Sequence, residues 1–427
     1  MMSLNNTEKL TLQQLLPYII CWAMLLGMLY SRAILSISML WFAIIALQPQ
    51  GFKQRMQSAV QDKFLWSSVI FFVAYVCSGL WSSNTGKWLV DVQVKLPFLC
   101  LPFAFHVLHF RNYKDVKVLL YGILLILMSG MAFSFIHALI NPSYYVSAGM
   151  HLLSPMEGDY IRFTIAVVFG IVLIMYLNSK MNDGAISSNR LEKGLGAVWC
   201  AIAVVYLHIQ SSKTGLLCLY TVFVVLAMAY LIRKKKIGVF ISIIALGLAG
   251  VLLLSRTAGF KNQLHRIDRE ILIWKQQDYS QFNTASSIVP RLISYQIAWD
   301  NLKHNMVLGL GAGDLSEAMH AGYQQRYPFV EERYRIMPHN QFICTALAIG
   351  VVLAISLPLM LLTIMKTSFK KNSLYLVLST FIMLIGLMIE PMLEVQFGVF
   401  VFLFFLLLMR AVTVEPKLVY THTLKMQ

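Results

Sequence analysis

Apolar stretches of about 15 to 24 residues recur twelve times along the chain, and they limit its fold more than any other feature. They are centred near residues 22, 40, 72, 101, 127, 169, 202, 223, 246, 354, 382 and 402, the second and seventh being short. A helix needs roughly 20 apolar residues to cross a bilayer. Inside lipid the backbone must satisfy its own hydrogen bonds, which a helix does. The pattern therefore predicts an all-α polytopic membrane protein with about 12 transmembrane helices. Composition agrees, with 13% charged residues against about 25% in a soluble domain.

The formal net charge of +16 would suit a nucleic-acid binder, but its distribution argues for topology instead. With the N-terminus in the cytoplasm, 20 lysines and arginines fall in inside segments, among them Lys53, Arg55, Arg233, Lys234, Lys370 and Arg410. The short outside loops hold 4: Arg32, Lys87, Lys95 and Lys213. This is the positive-inside bias, and it puts both termini in the cytoplasm and predicts no nucleic-acid partner. The six cysteines all lie in apolar segments, which predicts neither a disulfide nor a zinc site. The polar first 14 residues carry no basic run and no small-residue cleavage site, so no removable signal peptide is expected.

Three regions follow: helices 1–9 over residues 1–254, an outside loop over 255–341, and helices 10–12 with a cytoplasmic tail over 342–427. The loop carries 10 cations and 8 acids, and long segments translocate regardless of charge. A loop of this length is usually functional or disordered. Helical spacing of Leu264, Ile267, Ile271 and Trp274, and again of Leu292, Tyr295, Trp299 and Leu302, predicts two amphipathic helices on the outer membrane surface. Pro290 suits a first helical turn and places Arg291 beside it. A cation there opposes the helix dipole. It is either a tolerated surface arginine or one that shares an anion, such as phosphate, with free N–H groups. The sequence "GLGAGD" (309–314) fails as a dinucleotide fingerprint for want of the glycine spacing and a following helix. Its glycines, Gly309, Gly311 and Gly313, suit a tight turn that brings backbone close to a ligand or a helix.

Further charges gather at the outer face. Lys213 lies in the turn "SSKTG", Arg162 follows "EGDY" with Glu157 and Asp159 as candidate partners, and Lys95 precedes "LPF". Glu390 and Glu394 border the turn at Pro391. Each alone is explained by interfacial anchoring or pairing with a neighbour. Together Lys95, Arg162, Lys213, Arg291, Arg333 and Arg335 make one face basic where the bias predicts few cations. The segment "RYRIMPHNQFI" (333–343) adds His339 and Asn340 at the mouth of an apolar run. It reads as anchoring, as a site for an anionic headgroup, or as a catalytic site acting on such a lipid. The middles of the spans carry almost no charge, unlike proton-coupled carriers. There is no ATP-binding loop, no HExxH pair and no acidic cluster for magnesium. Any chemistry should be free of metal and cofactor, driven by an activated substrate, and located at the outer surface.

These residues resemble the O-antigen ligase family, whose domain is shared with many O-antigen polymerases. "SSKTG" stands where the family has Ser-Arg-Thr/Ser-Gly. An arginine-led helix with Ala298 and Trp299 runs into a Gly-x-Gly-x-Gly turn, and "PHNQF" opens a span with Gly350 further on. The likeness covers roughly residues 160 to 390, and the first five spans match in hydropathy alone. One departure is Lys213, which keeps the charge of the family arginine but loses its bidentate fork. The resemblance implies transfer of a glycan from a polyprenyl-diphosphate carrier to an acceptor, on the periplasmic face of a bacterial inner membrane and without nucleotide sugar. The ligases use lipid A-core as acceptor, and the polymerases use another carrier-linked repeat. It implies that Arg291 and Lys213 hold the diphosphate, assisted by Arg162 and Arg335. His339 is then a general base or a phosphate-positioning group, with Asn340 orienting the loop or a sugar hydroxyl, and Glu157, Asp159 and Glu390 as reserve bases. A polymerase or a protein O-oligosaccharyltransferase fits the same donor half. From another class, a lipid-linked glycan flippase would also need a cationic site, but should show a charged central cavity or paired halves. A structural partner in envelope polysaccharide assembly would tolerate loss of Arg291 and His339.

Overall fold

A computed structural model describes residues 12–108, 110, 112–147, 151–156, 158–182, 190–234, 238, 242, 258–276 and 288–414. The described residues are helical, with no strand among them. Seven helices are long and apolar enough to cross a membrane, or eight if one bent pair counts as a span. The chain is thus a polytopic membrane protein. The expectation of twelve divides as follows. The stretches near 72, 101, 127, 169, 202, 223 and 402 are the seven long helices, and the one near 354 is the bent pair. Those near 22, 40 and 382 form shorter apolar helices, and the one near 246 lies outside the described residues.

In chain order the helices are α1 (Leu12–Tyr30), α2 (Arg32–Ala46), α3 (Phe52–Val60), α4 (Lys63–Cys77), α5 (Thr85–Lys95), α6 (Pro97–Ala104), α7 (Tyr113–Ile140), α8 (Pro142–Ser147) and α9 (Tyr160–Asn182). They continue as α10 (Arg190–Gln210), α11 (Lys213–Arg233), α12 (Ala258–Gln276), α13 (Val289–His304), α14 (Leu315–Arg326), α15 (Gln341–Ala354), α16 (Ser356–Lys370), α17 (Leu374–Ile389) and α18 (Gln396–Val414). Helices α12 and α13 cover the two stretches of amphipathic spacing, while α14 has no such signal in the sequence reading.

Helices α9 and α18 form the centre, each 78% buried, because both are apolar on every face. Phe169 stacks on Phe405 between them, with ring centroids 4.9 Å apart. Helices α10 and α11 lie outside, at 22% and 28% buried, with much of their apolar surface exposed. Glycine permits the closest crossings: a Cβ on Gly170 would meet the Trp199 ring at 2.2 Å, and one on Gly215 would meet Thr164 at 2.6 Å.

The span near 354 is broken. Gly350 adopts φ 80°, a conformation open to glycine, and α15 and α16 meet at a 70° bend. The break frees backbone groups that lipid cannot satisfy. The glycine-rich turn supplies the partners: Leu310 N–H donates to Leu347 O at 2.7 Å and Gly311 N–H to Ala348 O at 3.2 Å. In return Val351 N–H donates to Met306 O at 2.8 Å. A Cβ on Gly309, whose φ is 74°, would lie 2.5 Å from the Gly350 backbone nitrogen. Asp314 then clamps the turn to the α4–α5 loop by accepting from Ser83 N–H and Asn84 N–H at 2.7 and 2.8 Å. "GLGAGD" therefore brings backbone close to a helix, with Gly311 and Gly313 against Ser82 and Asn84.

Candidate active site

His339 and Glu390 are set by the ends of two different helices. Asn340 caps α15, its Oδ1 accepting from Ile343 N–H at 3.2 Å, while its Nδ2 donates to Met388 O at 3.3 Å. That double contact ties the start of α15 to the end of α17 and makes Asn340 an organiser of the loop. Glu390 ends α17 with φ −133° and ψ 145°, the extended backbone that a following proline favours. The result is His339 Nδ1 3.4 Å from Glu390 Oε2, a charge contact without a hydrogen bond of proper geometry, with the two side chains 24% and 11% exposed. Tyr295 Oη donates to His339 O at 2.9 Å. Burial raises the pKa of the Tyr295 phenol, with Arg291 opposing and Cys344 and Glu390 adding to the rise, so it remains a donor at neutral pH. Tyr160, at the start of α9, sits in the field of both Glu390 and Arg291 and stacks on His151. The structure thus gathers His339, Glu390, Arg291, Tyr160 and Tyr295 at one end of the bundle.

Arg291 lies in the first turn of α13, half-buried, and no described residue forms an ion pair with it. The expectation that it shares an anion with free helix N–H groups needs correction. Glu270 on α12 already caps that helix, its Oε2 accepting from Ile288 N–H at 2.7 Å and Val289 N–H at 3.2 Å. A carboxylate of the chain thus stands where an anionic ligand would have met those groups. Arg291 presents its own guanidinium, and the helix end is occupied.

The other cations separate. Lys213 begins α11, is exposed, and has no ion-pair partner among the described residues. Its turn is held against α9, with Ser212 Oγ 3.3 Å from Thr164 Oγ1, one helical turn along from Tyr160. Arg162 donates to Asp159 Oδ1 at 2.6 Å, and Arg32 lies 3.7 Å from the second Asp159 oxygen. The Arg162 Nε is buried without a hydrogen-bond partner among the described residues, close to Gly398 at the start of α18. Asp159 is therefore a counter-ion and poorly placed as a base. Glu157, like the Arg333 side chain, lies outside the described residues. Arg335 has partners other than His339. It donates to Val330 O at 3.0 Å, has His320 Nε2 at 3.0 Å, and lines a cavity of about 470 Å³ with Asn84, Glu317, His320 and Glu332.

One network was hidden from the sequence. Lys95, expected at the membrane surface, is fully buried, which corrects that expectation. Its Nζ reaches Glu394 Oε2 at 3.2 Å and donates to Leu393 O, with the Tyr75 ring 4.9 Å away. Gln341, also fully buried, donates to Glu394 Oε1 at 2.6 Å and accepts from Leu393 N–H at 2.6 Å. A buried lysine needs such compensation. The network fixes the 391–395 turn directly behind His339. The pairing spans 299 residues, so no local pattern announces it. Tyr160 and Tyr295 were missed for a different reason: tyrosine at a membrane interface is ordinary. Among the described residues no group of three or more His, Cys, Asp or Glu side chains is set to hold a metal ion.

Residues 195–358 match the model of a family described as O-antigen ligase. The match begins in α10 and ends in α16, so it takes in Lys213, Arg291, the glycine-rich turn and His339, and leaves Arg162 and Glu390 outside. No curated protein matches the chain closely enough to count as a relative.

Proposed function

From the O-antigen ligase domain that this chain carries, we propose that it is a glycosyltransferase. It moves a glycan from a polyprenyl-diphosphate carrier to an acceptor hydroxyl, that of lipid A-core, at the periplasmic face of a bacterial inner membrane. The observation that carries the reading is a histidine 3.4 Å from a carboxylate, at the end of the membrane bundle where Arg291 has no ion-pair partner among the described residues. Acceptor activation and leaving-group stabilisation need those two elements together.

In the reaction the bond between the anomeric carbon and the diphosphate oxygen breaks, and its electron pair leaves with the diphosphate. The acceptor oxygen bonds to the anomeric carbon and loses its proton. His339 takes that proton at Nε2, and the Glu390 carboxylate 3.4 Å away on the Nδ1 side stabilises the imidazolium that forms. Arg291 faces the negative charge that grows on the diphosphate, so it lowers the transition state more than the ground state. Lys213 adds charge from the neighbouring turn, and Arg162 from α9. These cations do the electrostatic work a metal would otherwise do. Arg335 belongs to the adjoining polar cavity, which suits the hydroxyl-rich acceptor better than the diphosphate.

Product analysis tests this reading. The purified chain is given a polyprenyl-diphosphate glycan and lipid A-core, with chelator and without nucleotide. Glycan on lipid A-core supports the ligase. Longer carrier-linked glycan would replace it with a polymerase, and glycan on neither acceptor would refute transfer.

A further inference from the structure

A second cavity lies far from His339. It measures about 520 Å³ and is lined by Ser58, Asp62, His106, Lys370, Leu407 and Arg410 among others. Helix α18 starts beside Glu394 and reaches Arg410 fourteen residues after Gln396, about 21 Å along its axis at 1.5 Å per residue. The cavity therefore opens at the other end of the bundle, where the ends of α3, α6, α16 and α18 meet. By charge bias this is the cytoplasmic side.

Its frame is an ion pair. Arg410 Nη1 donates to both oxygens of the buried Asp62, at 2.9 and 2.7 Å, and Asp62 Oδ1 also caps α4 by accepting from Phe64 N–H. His106 Nε2 lies 3.4 Å from Asp62 Oδ2, yet makes no hydrogen bond of proper geometry although it is buried. Lys370 ends α16, is exposed, and forms no ion pair with a described residue. Asp62 is the one acid among the described lining residues, against Lys370 and Arg410, so their net charge is positive. A positive, polar hollow between helix ends at the depth of lipid headgroups is a place for a phosphate group.

We infer that this cavity binds the phosphate-bearing headgroup of an anionic phospholipid of the inner leaflet. Lys370 contacts the phosphate, His106 donates to it, and the Asp62–Arg410 pair holds the wall in shape. The acyl chains leave along the lipid-facing side of α16, where Leu362 and Phe369 are exposed. The inference is independent of the chemistry at His339.

The test uses the full chain in detergent, with melting temperature followed on adding phosphatidylglycerol, phosphatidylcholine or inorganic phosphate. The variants are Lys370→Gln and His106→Gln, alone and together. Phosphatidylglycerol should raise the wild-type midpoint by several degrees more than phosphatidylcholine, and the double variant should lose most of that excess. Should the double variant not fold, Lys370→Gln alone serves, since its side chain is exposed. An equal phosphatidylglycerol shift in wild type and Lys370→Gln overturns the site. A wild-type shift reproduced by inorganic phosphate and lost in the variants overturns the lipid in favour of a soluble phosphate.

Discussion

A histidine, a carboxylate and an arginine lie near each end of this helix bundle, and the two sets differ in what the arginine does. At one end Arg410 gives hydrogen bonds to both Asp62 oxygens, with His106 at 3.4 Å. At the other end Glu390 stands 3.4 Å from His339, and Arg291 has no ion-pair partner among the described residues. Residue type alone does not separate the two. Asp62 sits where burial alone would raise its pKa, and the His106 imidazole 3.4 Å away together with the Arg410 guanidinium pull it down to about 2 instead. That cluster is internally compensated and serves as a brace. Arg291 has no counter-ion among the described residues, and in the proposed reaction it would meet the charge of the donor diphosphate.

The comparison can be broken by exchanging readouts. Outer-cluster variants should change turnover and leave melting alone, and inner-pair variants should do the reverse. The largest effect belongs to His339→Ala, with transfer falling by roughly 10²–10⁴-fold as for loss of a general base. Arg291→Ala should cost about 10²–10³-fold, and here donor affinity should fall as well. Glu390→Gln should lose less than His339→Ala, and its pH–rate profile should change in shape, because the imidazolium then lacks its counter-charge. An unchanged profile would reduce Glu390 to a helix terminator.

For the inner pair the readout is stability. A carboxyl held at about 2 rather than 3.8 amounts to ~2 kcal/mol. Because the folded value is the lower one, this contribution is present above pH 4 and is lost as pH falls through about 2. Asp62→Asn should therefore melt well below wild type at pH 7, the gap should narrow below pH 4, and transfer at neutral pH should persist. The smallest effect is at Lys213→Arg, which restores the forked donor. Donor KM should fall a few-fold with kcat little changed, and a large rise in kcat would mean that Lys213 acts in the transition state.

The sequence was most informative where local physics decides. Long apolar runs became helices, and the glycines of "GLGAGD" belong to a tight backbone approach, since Gly309 and Gly350 leave no room for a side chain. It was least informative where partners are distant along the chain. Glu270 capping α13, Lys95 buried against Glu394 and Arg335 turned onto His320 each depend on a through-space neighbour that spacing cannot reveal. His339 and Arg291 could be singled out because a charge and an imidazole stand out at a membrane boundary. Their nearness to Tyr160 and Tyr295 is a product of tertiary packing.

The central claim is that His339 acts on the acceptor proton while Arg291 acts on the donor diphosphate. The most direct measurement is a single-turnover assay with donor bound in advance, comparing wild type, His339→Ala and Arg291→Ala, with donor affinity measured in parallel. The account predicts that His339→Ala binds donor as wild type does and fails to transfer it, while Arg291→Ala loses affinity and rate together. Transfer by His339→Ala at close to the wild-type rate, or a loss of donor affinity in that variant as large as its loss of rate, would contradict it.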